Sequence, residues 1–312
     1  MLRAMSVIEI EGLCKEYRRR RGGRVRAVDG MELSVPAGGV YGFLGPNGSG
    51  KTTTIRCLLG LARPTSGHCR LLGAEAPGGL PAVVGRVGAL VEMPGLNPGL
   101  SGRQTLEILA AAGRIDRRAV DVVLEQVGLA GRGDDLAKGY SLGMRQRLGL
   151  AAALLKDPEV LVLDEPANGL DPAGIREIRE LIRRLGTEGR TVFLSSHLLA
   201  EVEQVCDRVA IVAGGRTVKS GPIADVLAAA RPTAVSVKVR NLKGGARTLS
   251  AAGFAVNLTD HHLEVAVEPA RAENVTRALV AEGHYPSELR PVETSLEDAF
   301  FALTGDSKGA AQ

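Results

Sequence analysis

Gly45-Pro46-Asn47-Gly48-Ser49-Gly50-Lys51-Thr52 is the stretch on which the reading of this chain turns. It fits the pattern G-x-x-x-x-G-K-[ST]. An apolar strand-like run, Val40 to Leu44, precedes it. A helical pattern comes after it, with Ile55, Leu58 and Leu59 on one face and Pro64 just past the end. Glycines let a backbone wrap a phosphate chain with its N–H groups pointing inward. A helix that opens at this point adds the positive end of its dipole. Lys51 is expected to reach the β- and γ-phosphates of a nucleotide, and the Thr52 hydroxyl to bind Mg²⁺. A chain with 40 glycines can also produce this pattern by chance. The strand before it and the helix after it favour the phosphate cradle.

A second half-site lies downstream. Val160 to Leu163 is a short apolar run, as expected of a fully buried parallel strand, and it ends in Asp164-Glu165-Pro166. Val192 to Leu194 and Val209 to Val212 have the same character. Strands alternating with helices predict an α/β domain with a largely parallel sheet, whose strand carboxyl ends face the ligand crevice. Asp164 is then placed to hold Mg²⁺, directly or through water, and Glu165 to polarise a water attacking the γ-phosphate. Strand-like alternation also covers Val7 to Ile10 and Met31 to Val35. Residues 97–150 are mostly helical in pattern: Leu106, Leu109 and Ala110, then Val120, Val123, Leu124 and Val127, recur at helical spacing.

The pattern changes near Ala228 to Thr233. Beyond Arg231-Pro232 the chain alternates strictly through Val235, Val237 and Val239. The remainder is expected as β (234–240), α (242–252), β (254–259), β (262–267), α (270–283), β (286–293) and α (295–304), which fits a split βαβ sandwich. This gives a first domain over 1–230, a small α+β domain over 231–305 and a tail over 306–312.

Composition removes several classes. The 312 residues are 45% hydrophobic and 24% charged, which is a globular balance rather than a disordered one. No apolar run approaches the ~18 residues of a membrane span. The longest candidate, Leu148 to Leu155, stops at Lys156-Asp157. The N-terminus shows no secretory pattern, and Cys14, Cys57, Cys69 and Cys206 are scattered, so a reduced, cytoplasmic setting is expected. A net charge of +4 does not by itself indicate nucleic acid, and 3% aromatics with no Trp argue against base-stacking platforms, so no nucleic-acid partner is expected.

Further residues carry a resemblance. Tyr140-Ser141-Leu142-Gly143-Met144, followed by Arg145-Gln146-Arg147, resembles the signature motif of ATP-binding-cassette (ABC) proteins, and it precedes Asp164 by that family's spacing. Asn168-Gly169-Leu170-Asp171 is similar to the family's D-loop, and Ser195-Ser196-His197 resembles its switch histidine. Tyr17 is the best match for the aromatic residue that stacks on adenine. The resemblance spans residues 6 to about 225. It implies a P-loop NTPase of the α/β class, with a mostly parallel core sheet and a helical subdomain over about 93–155. It implies ATP and Mg²⁺, nucleotide contacts from Tyr17, Gly45, Pro46, Asn47, Gly48, Ser49, Gly50, Lys51, Thr52 and Thr53, and catalysis by Glu165 and His197. It also implies a head-to-tail pair in which Ser141, Gly143, Met144 and Asp171 of one copy close on the nucleotide held by the other. The residues agree: Ser141 and Gly143 open an expected helix, where backbone N–H groups suit a phosphate. Ser141 can also serve there as an ordinary N-cap.

One position departs from the family. Glu92, in Leu90-Val91-Glu92-Met93-Pro94, stands where Gln is usual. A carboxylate can ligate Mg²⁺ and adds negative charge near the γ-phosphate, so the implied metal set is Thr52, Asp164 and Glu92. This variant, the stretch Tyr140 to Leu155 and Ala173-Gly174-Ile175-Arg176 resemble bacitracin-type antibiotic-resistance exporters. Ser295 to Gly305 resembles the end of daunorubicin-type exporter ATPases. Ser295 can cap a helix there, with Leu296, Phe300 and Leu303 as an apolar stripe that packs on its own domain or on a second copy.

Two features are assigned bland roles: the basic run Arg18 to Arg21 with Arg24 and Arg26 as a solvated hairpin tip, and His261-His262 as a polar turn. The expected function is the ATPase subunit of an exporter, peripheral on the cytoplasmic face of the membrane and working with a separate polytopic permease. A soluble cassette ATPase of translation or repair and a non-hydrolysing ATP sensor are the rivals. The first usually carries two cassettes or a coiled-coil insert; the second conflicts with Lys51, Asp164, Glu165 and His197 being present. Glu92→Ala is predicted to lower turnover more than ATP affinity, when both are measured on the same preparation. Equal loss of the two would contradict a role in the metal shell.

Overall fold

Two strands in the middle of the sequence have no exposed residue. β7 (Val160–Asp164) and β8 (Thr191–Ser196) are buried along their whole length, as central strands of a parallel sheet covered on both faces must be. They belong to the computed structural model of the chain, which describes residues 6–18, 22–92, 95–229, 234–292 and 295–304. Contacts divide the chain into two units, Met1–Val226 and Leu227–Gln312.

The first unit holds two sheets. β1 (Ser6–Arg18), β2 (Arg24–Pro36), β4 (Ser66–Leu71) and β5 (Ala74–Glu75) form an antiparallel sheet in the order β2-β1-β4-β5. β3 (Gly39–Leu44), β6 (Val87–Leu90), β9 (Arg208–Ala213) and β10 (Arg216–Pro222) join β7 and β8 in the order β10-β9-β3-β8-β7-β6. Its pairs are parallel except for the antiparallel edge strand β10. One core cluster joins the sheets: Ile8, Ile10 and Leu13 of β1 and Met31 and Leu33 of β2 meet Phe43 of β3 and Phe193 of β8. α1 (Lys51–Leu58) adds Ile55, Cys57 and Leu58 to it. The Phe43 and Phe193 rings lie 5.3 Å apart, a pairing worth about 0.5–1.5 kcal/mol beyond its area.

The helices form for local reasons. α2 (Gly102–Ala112) opens on a capping box between Ser101 and Gln104. α3 (Arg118–Gln126) buries Val120, Val123 and Leu124, as its spacing predicts. α4 (Leu142–Leu154) is capped by Ser141, and α5 (Pro172–Thr187) by Asp171 with Pro172 in its first turn. Ile178, Leu181, Ile182 and Leu185 make the buried stripe of α5. α6 (Leu199–Glu203) is a short turn after β8, and α7 (Ile223–Ala229) spans the division between the units. No helix of the described residues is long and apolar enough to cross a membrane.

Register aligns the strand ends. β3 and β8 pair Leu44 with Ser196, and β7 and β8 pair Asp164 with Ser195. The carboxyl ends of three buried strands therefore finish side by side.

The second unit runs β11 (Val235–Val239), α8 (Leu242–Ala251), β12 (Val256–Leu258), β13 (Leu263–Val265), α9 (Ala272–Ala281), β14 (Pro286–Pro291) and α10 (Leu296–Thr304). The sheet is antiparallel in the order β12-β13-β11-β14, the split βαβ arrangement. Its core is Val235, Val237, Val239, Leu263 and Val265 with Leu249 of α8 and Val275 and Leu279 of α9. Ser295 and Asp298 cap α10 reciprocally, at 3.1 and 3.2 Å, and Leu296 and Phe300 are buried. His262 sits in a turn held by Thr259.

Several expectations change. Leu109 leaves the predicted stripe of α2 and is 43% exposed, because the inward face is Gly102, Leu106 and Ala110 at i, i+4 and i+8. β1 and β2 run 13 residues each, past their apolar runs. Beyond Leu13 the pair is held in part by side-chain ion pairs, Arg24 and Arg26 with Glu16, while Val28 still reaches the core. Residues 19–21 of the basic run, Met93 and Pro94, the segment 230–233, Gly305 and the tail over 306–312 lie outside the described residues.

All four cysteines are free. Burial pushes the Cys57 and Cys206 thiols up and the Cys69 thiol to about 12. Cys14 is half-buried, with its Sγ accepting the Gly30 N–H at 3.1 Å. Alkylation of the native protein at mild alkaline pH is therefore predicted to modify Cys14 well ahead of the other three, with all four reacting in denaturant. Equal rates at all four in the native protein would contradict this core.

Candidate nucleotide site

The loop from Gly45 to Gly50 leaves β3 at the shared strand edge and enters α1 at Lys51. Gly50 has φ 102° in the left-handed region, and a Cβ there would lie 2.6 Å from the Ala27 carbonyl oxygen. Only glycine fits that turn. No side chain caps α1, so its first-turn N–H groups lack a side-chain acceptor and suit an anion. Lys51 is buried, and its Nζ donates to the carbonyls of Gly45 at 2.7 Å and Pro46 at 3.3 Å, which folds the side chain back over the loop. The buried Ser49 hydroxyl has no hydrogen-bond partner among the described residues. A buried hydroxyl is normally satisfied. An open, uncapped helix start with an orphan hydroxyl and an inward ammonium fits a phosphate chain.

Opposite the loop is the end of β7. Asp164 is buried, and its Oδ1 accepts the Ser195 hydroxyl at 2.5 Å. Glu165 has φ 49°, a left-handed conformation that costs a non-glycine residue about 1–3 kcal/mol. Its Oε1 lies 3.4 Å from Lys51 Nζ, and its Oε2 lies 2.8 Å from His197 Nδ1. The site is an open cleft of about 340 Å³ lined by Asn47, Gly48, Lys51, Thr52, Thr53, Glu165, Asn168 and His197, with Ala27 and Gly50 at its edge. Two adjacent carboxylates beside a polyphosphate site call for more positive charge than Lys51 supplies. The Thr52 hydroxyl and Asp164 are hard oxygen donors, as Mg²⁺ prefers. Among the described residues no group of three or more His, Cys, Asp or Glu is placed to hold a metal ion. Mg²⁺ bound mainly by substrate phosphates, with one or two protein oxygens, needs no such group.

The other sequence candidates lie elsewhere. Tyr17 is 40% exposed near the end of β1, with Lys15 Nζ 4.9 Å from its ring centroid, and it does not line the cleft. The Glu92 carboxylate, expected near the metal, is ion-paired with Arg56 of α1 and does not line the cleft. The Glu92 backbone has φ 66°, in the left-handed region. Ser141, Gly143, Met144 and Asp171 do not line the cleft of their own chain. Ser141 Oγ accepts the Met144 N–H at 3.2 Å, and Asp171 accepts the Gly174 N–H at 3.2 Å, so both are N-caps here. α4 is tied to the carboxylate loop: Gln146 Nε2 donates to the Pro166 carbonyl at 3.3 Å, and a Cβ on Gly169 would lie 3.1 Å from Leu142.

Three residues around the site carry weaker signals in the sequence. Asn168 lines the cleft, and its N–H donates to the Glu165 carbonyl at 3.1 Å. Ala27 enters from β2, which no motif marks. Ser195 is fully buried between the two carboxylate residues, and its one signal is a polar residue at the end of an apolar strand.

Comparison with known proteins places this geometry. The family described as ABC transporter matches residues 28–168. The bacitracin transport ATP-binding protein BcrA of Bacillus licheniformis is 38% identical over 96% of this chain and 98% of its own length. The daunorubicin resistance ATP-binding protein DrrA3 of Streptomyces coeruleorubidus is 36% identical, over 98% of each chain. A solved ATP-binding subunit of an ABC transporter is 27% identical with a TM-score of 0.63, covering 72% of this chain and 93% of that one. With its phosphate loop, Glu165 and His197 lining one cleft and the buried Asp164 preceding Glu165, the chain belongs to the ABC transporter family of ATP-binding proteins, the ATP-hydrolysing subunits of these transporters.

Proposed function

We propose that this chain is the ATP-binding and ATP-hydrolysing subunit of an exporter, driving a drug-like or amphipathic molecule through a separate polytopic membrane permease. The observation that carries the chemistry is the Glu165 carboxylate, gripped by Lys51 and His197 over an uncapped helix start. Support for export is the likeness, over nearly the full chain, to proteins named for bacitracin transport and daunorubicin resistance. In this reading the chain sits peripherally on the cytoplasmic face of the membrane, against that permease.

Backbone N–H groups of Gly48, Gly50 and the first turn of α1, Lys51 to Thr53, take the phosphates, Lys51 bonds the β- and γ-oxygens, and Tyr17 stacks on adenine. Thr52 and Asp164 would hold Mg²⁺, which would supply charge neutralisation on the phosphates. Glu92 would add a further oxygen donor only if its carboxylate left Arg56. Glu165 takes the proton of the attacking water, and His197 Nδ1 fixes the orientation of its carboxylate. Ser141, Gly143, Met144 and Asp171 act on the nucleotide of a second, head-to-tail copy. Their absence from their own chain's cleft supports that composite site.

Glu165→Gln is predicted to bind ATP as the wild type does and to lose about 10²- to 10⁴-fold in turnover, read by equilibrium binding and phosphate release. A fall in affinity without a fall in turnover would contradict Glu165 as the base. For the composite site, Lys51→Ala and Ser141→Ala copies are each expected to be inactive alone. Mixed together they regain turnover, because one of the two sites in a mixed pair is then intact. No recovery on mixing would mean that each site is built from one chain.

A further inference from the structure

We infer that Ser195 is a positioning residue for hydrolysis, fixing the metal-holding carboxylate and the general base through one buried hydroxyl. The proposal rests on the roles given above to Asp164 and Glu165. The Ser195 side chain is 0% exposed and stands beside Asp164 in the parallel register of β7 and β8. Its hydroxyl donates to Asp164 Oδ1 at 2.5 Å and accepts the backbone N–H of Glu165 at 3.0 Å. A serine hydroxyl has one donor and two acceptor sites, so a single side chain serves both neighbours at once.

Each bond fixes something the chemistry needs. The terminal torsion of an aspartate is soft. With Oδ1 held, the plane of the Asp164 carboxylate is set. Glu165 stands in a left-handed conformation that a non-glycine residue avoids. Both of its peptide groups are pinned: its N–H by Ser195 at 3.0 Å and its C=O by the Asn168 N–H at 3.1 Å. In that conformation its carboxylate spans Lys51 and His197. Removing the hydroxyl leaves a buried carboxylate oxygen and a peptide N–H without their partner. Asp164 is then free to turn and Glu165 to relax toward ordinary backbone angles, away from the cleft.

The test uses the full-length chain. Ser195→Ala is expected to lower kcat about 10- to 100-fold, the usual effect of losing a group that orients a metal ligand, with little change in KM for ATP. Affinity of the ATP-loaded chain for Mn²⁺, read from the free-ion paramagnetic resonance signal, falls by a comparable factor. ATP binding in excess chelator is unchanged. Ser195→Thr keeps the hydroxyl and restores both kcat and Mn²⁺ affinity. Should the alanine chain fail to fold, Ser195→Cys, close in size with a weak donor, carries the same measurements. Wild-type kcat and Mn²⁺ affinity in Ser195→Ala would overturn the proposal, as would a loss that threonine does not restore. Glu165→Gln is measured alongside. If it alone keeps wild-type turnover, the reading of Glu165 as base has failed, whereas a normal Ser195→Ala beside an inactive Glu165→Gln defeats only the positioning role.

Discussion

The site depends on one carboxylate in a backbone conformation that its residue type disfavours. Glu165 leaves the end of β7 at φ 49°, and that twist brings its two oxygens to Lys51 on one side and His197 on the other. The three residues come from three different turns: the loop after β3, the end of β7 and the end of β8. They meet because the strands between them are buried along nearly their whole length and locked in register. A slip of one residue in a parallel pair would send every side chain to the other face. The apolar runs Val160 to Leu163 and Val192 to Leu194 therefore act on the chemistry, although none of their side chains line the cleft.

The same loop ties the core to the helical layer. Gln146, buried in α4, reaches the Pro166 carbonyl one residue beyond Glu165, and Gly169 packs against Leu142 at the start of α4. Arg184 of α5 donates to the Gln126 carbonyl at 2.6 Å, and Arg147 of α4 pairs with Glu177 of α5. The signature helix thus has one polar tie to the loop after the carboxylate strand, through Gln146, beside the buried apolar side chains Leu148, Leu150 and Leu154 of α4.

Much of this is legible in the sequence, for identifiable reasons. The phosphate loop shows itself because glycine spacing is dictated by backbone geometry, and Gly50 has no substitute beside the Ala27 carbonyl. The central strands show themselves because burial on both faces leaves only apolar residues. Asp164 and Glu165 follow from their place at the end of such a run, and His197 from the resemblance of Ser195-Ser196-His197 to a switch histidine. Less visible are elements whose stability comes from partners distant in sequence. β4, Ser-Gly-His-Cys-Arg-Leu, has little strand character of its own and is held by pairing Leu71 with Ile8 and Cys69 with Ile10. β10 is a polar edge strand that comes after β9. The pairing of Glu92 with Arg56 is hidden too, since nothing in the spacing of two charged residues says which of several partners a carboxylate will meet. Ser195 stands in the sequence only as a companion of His197, and its contact with Asp164 emerges from the register of two strands.

A cleft that hydrolyses ATP does useful work only if its closing and opening is passed to something else, and in this account that is a separate membrane protein. The most direct measurement is to tag this chain in its native cell, solubilise the membranes gently and identify what co-purifies. The account predicts a polytopic membrane protein in near-equal amount. Soluble partners or ribosomes alone, with no tagged chain on the membranes, would contradict the exporter assignment.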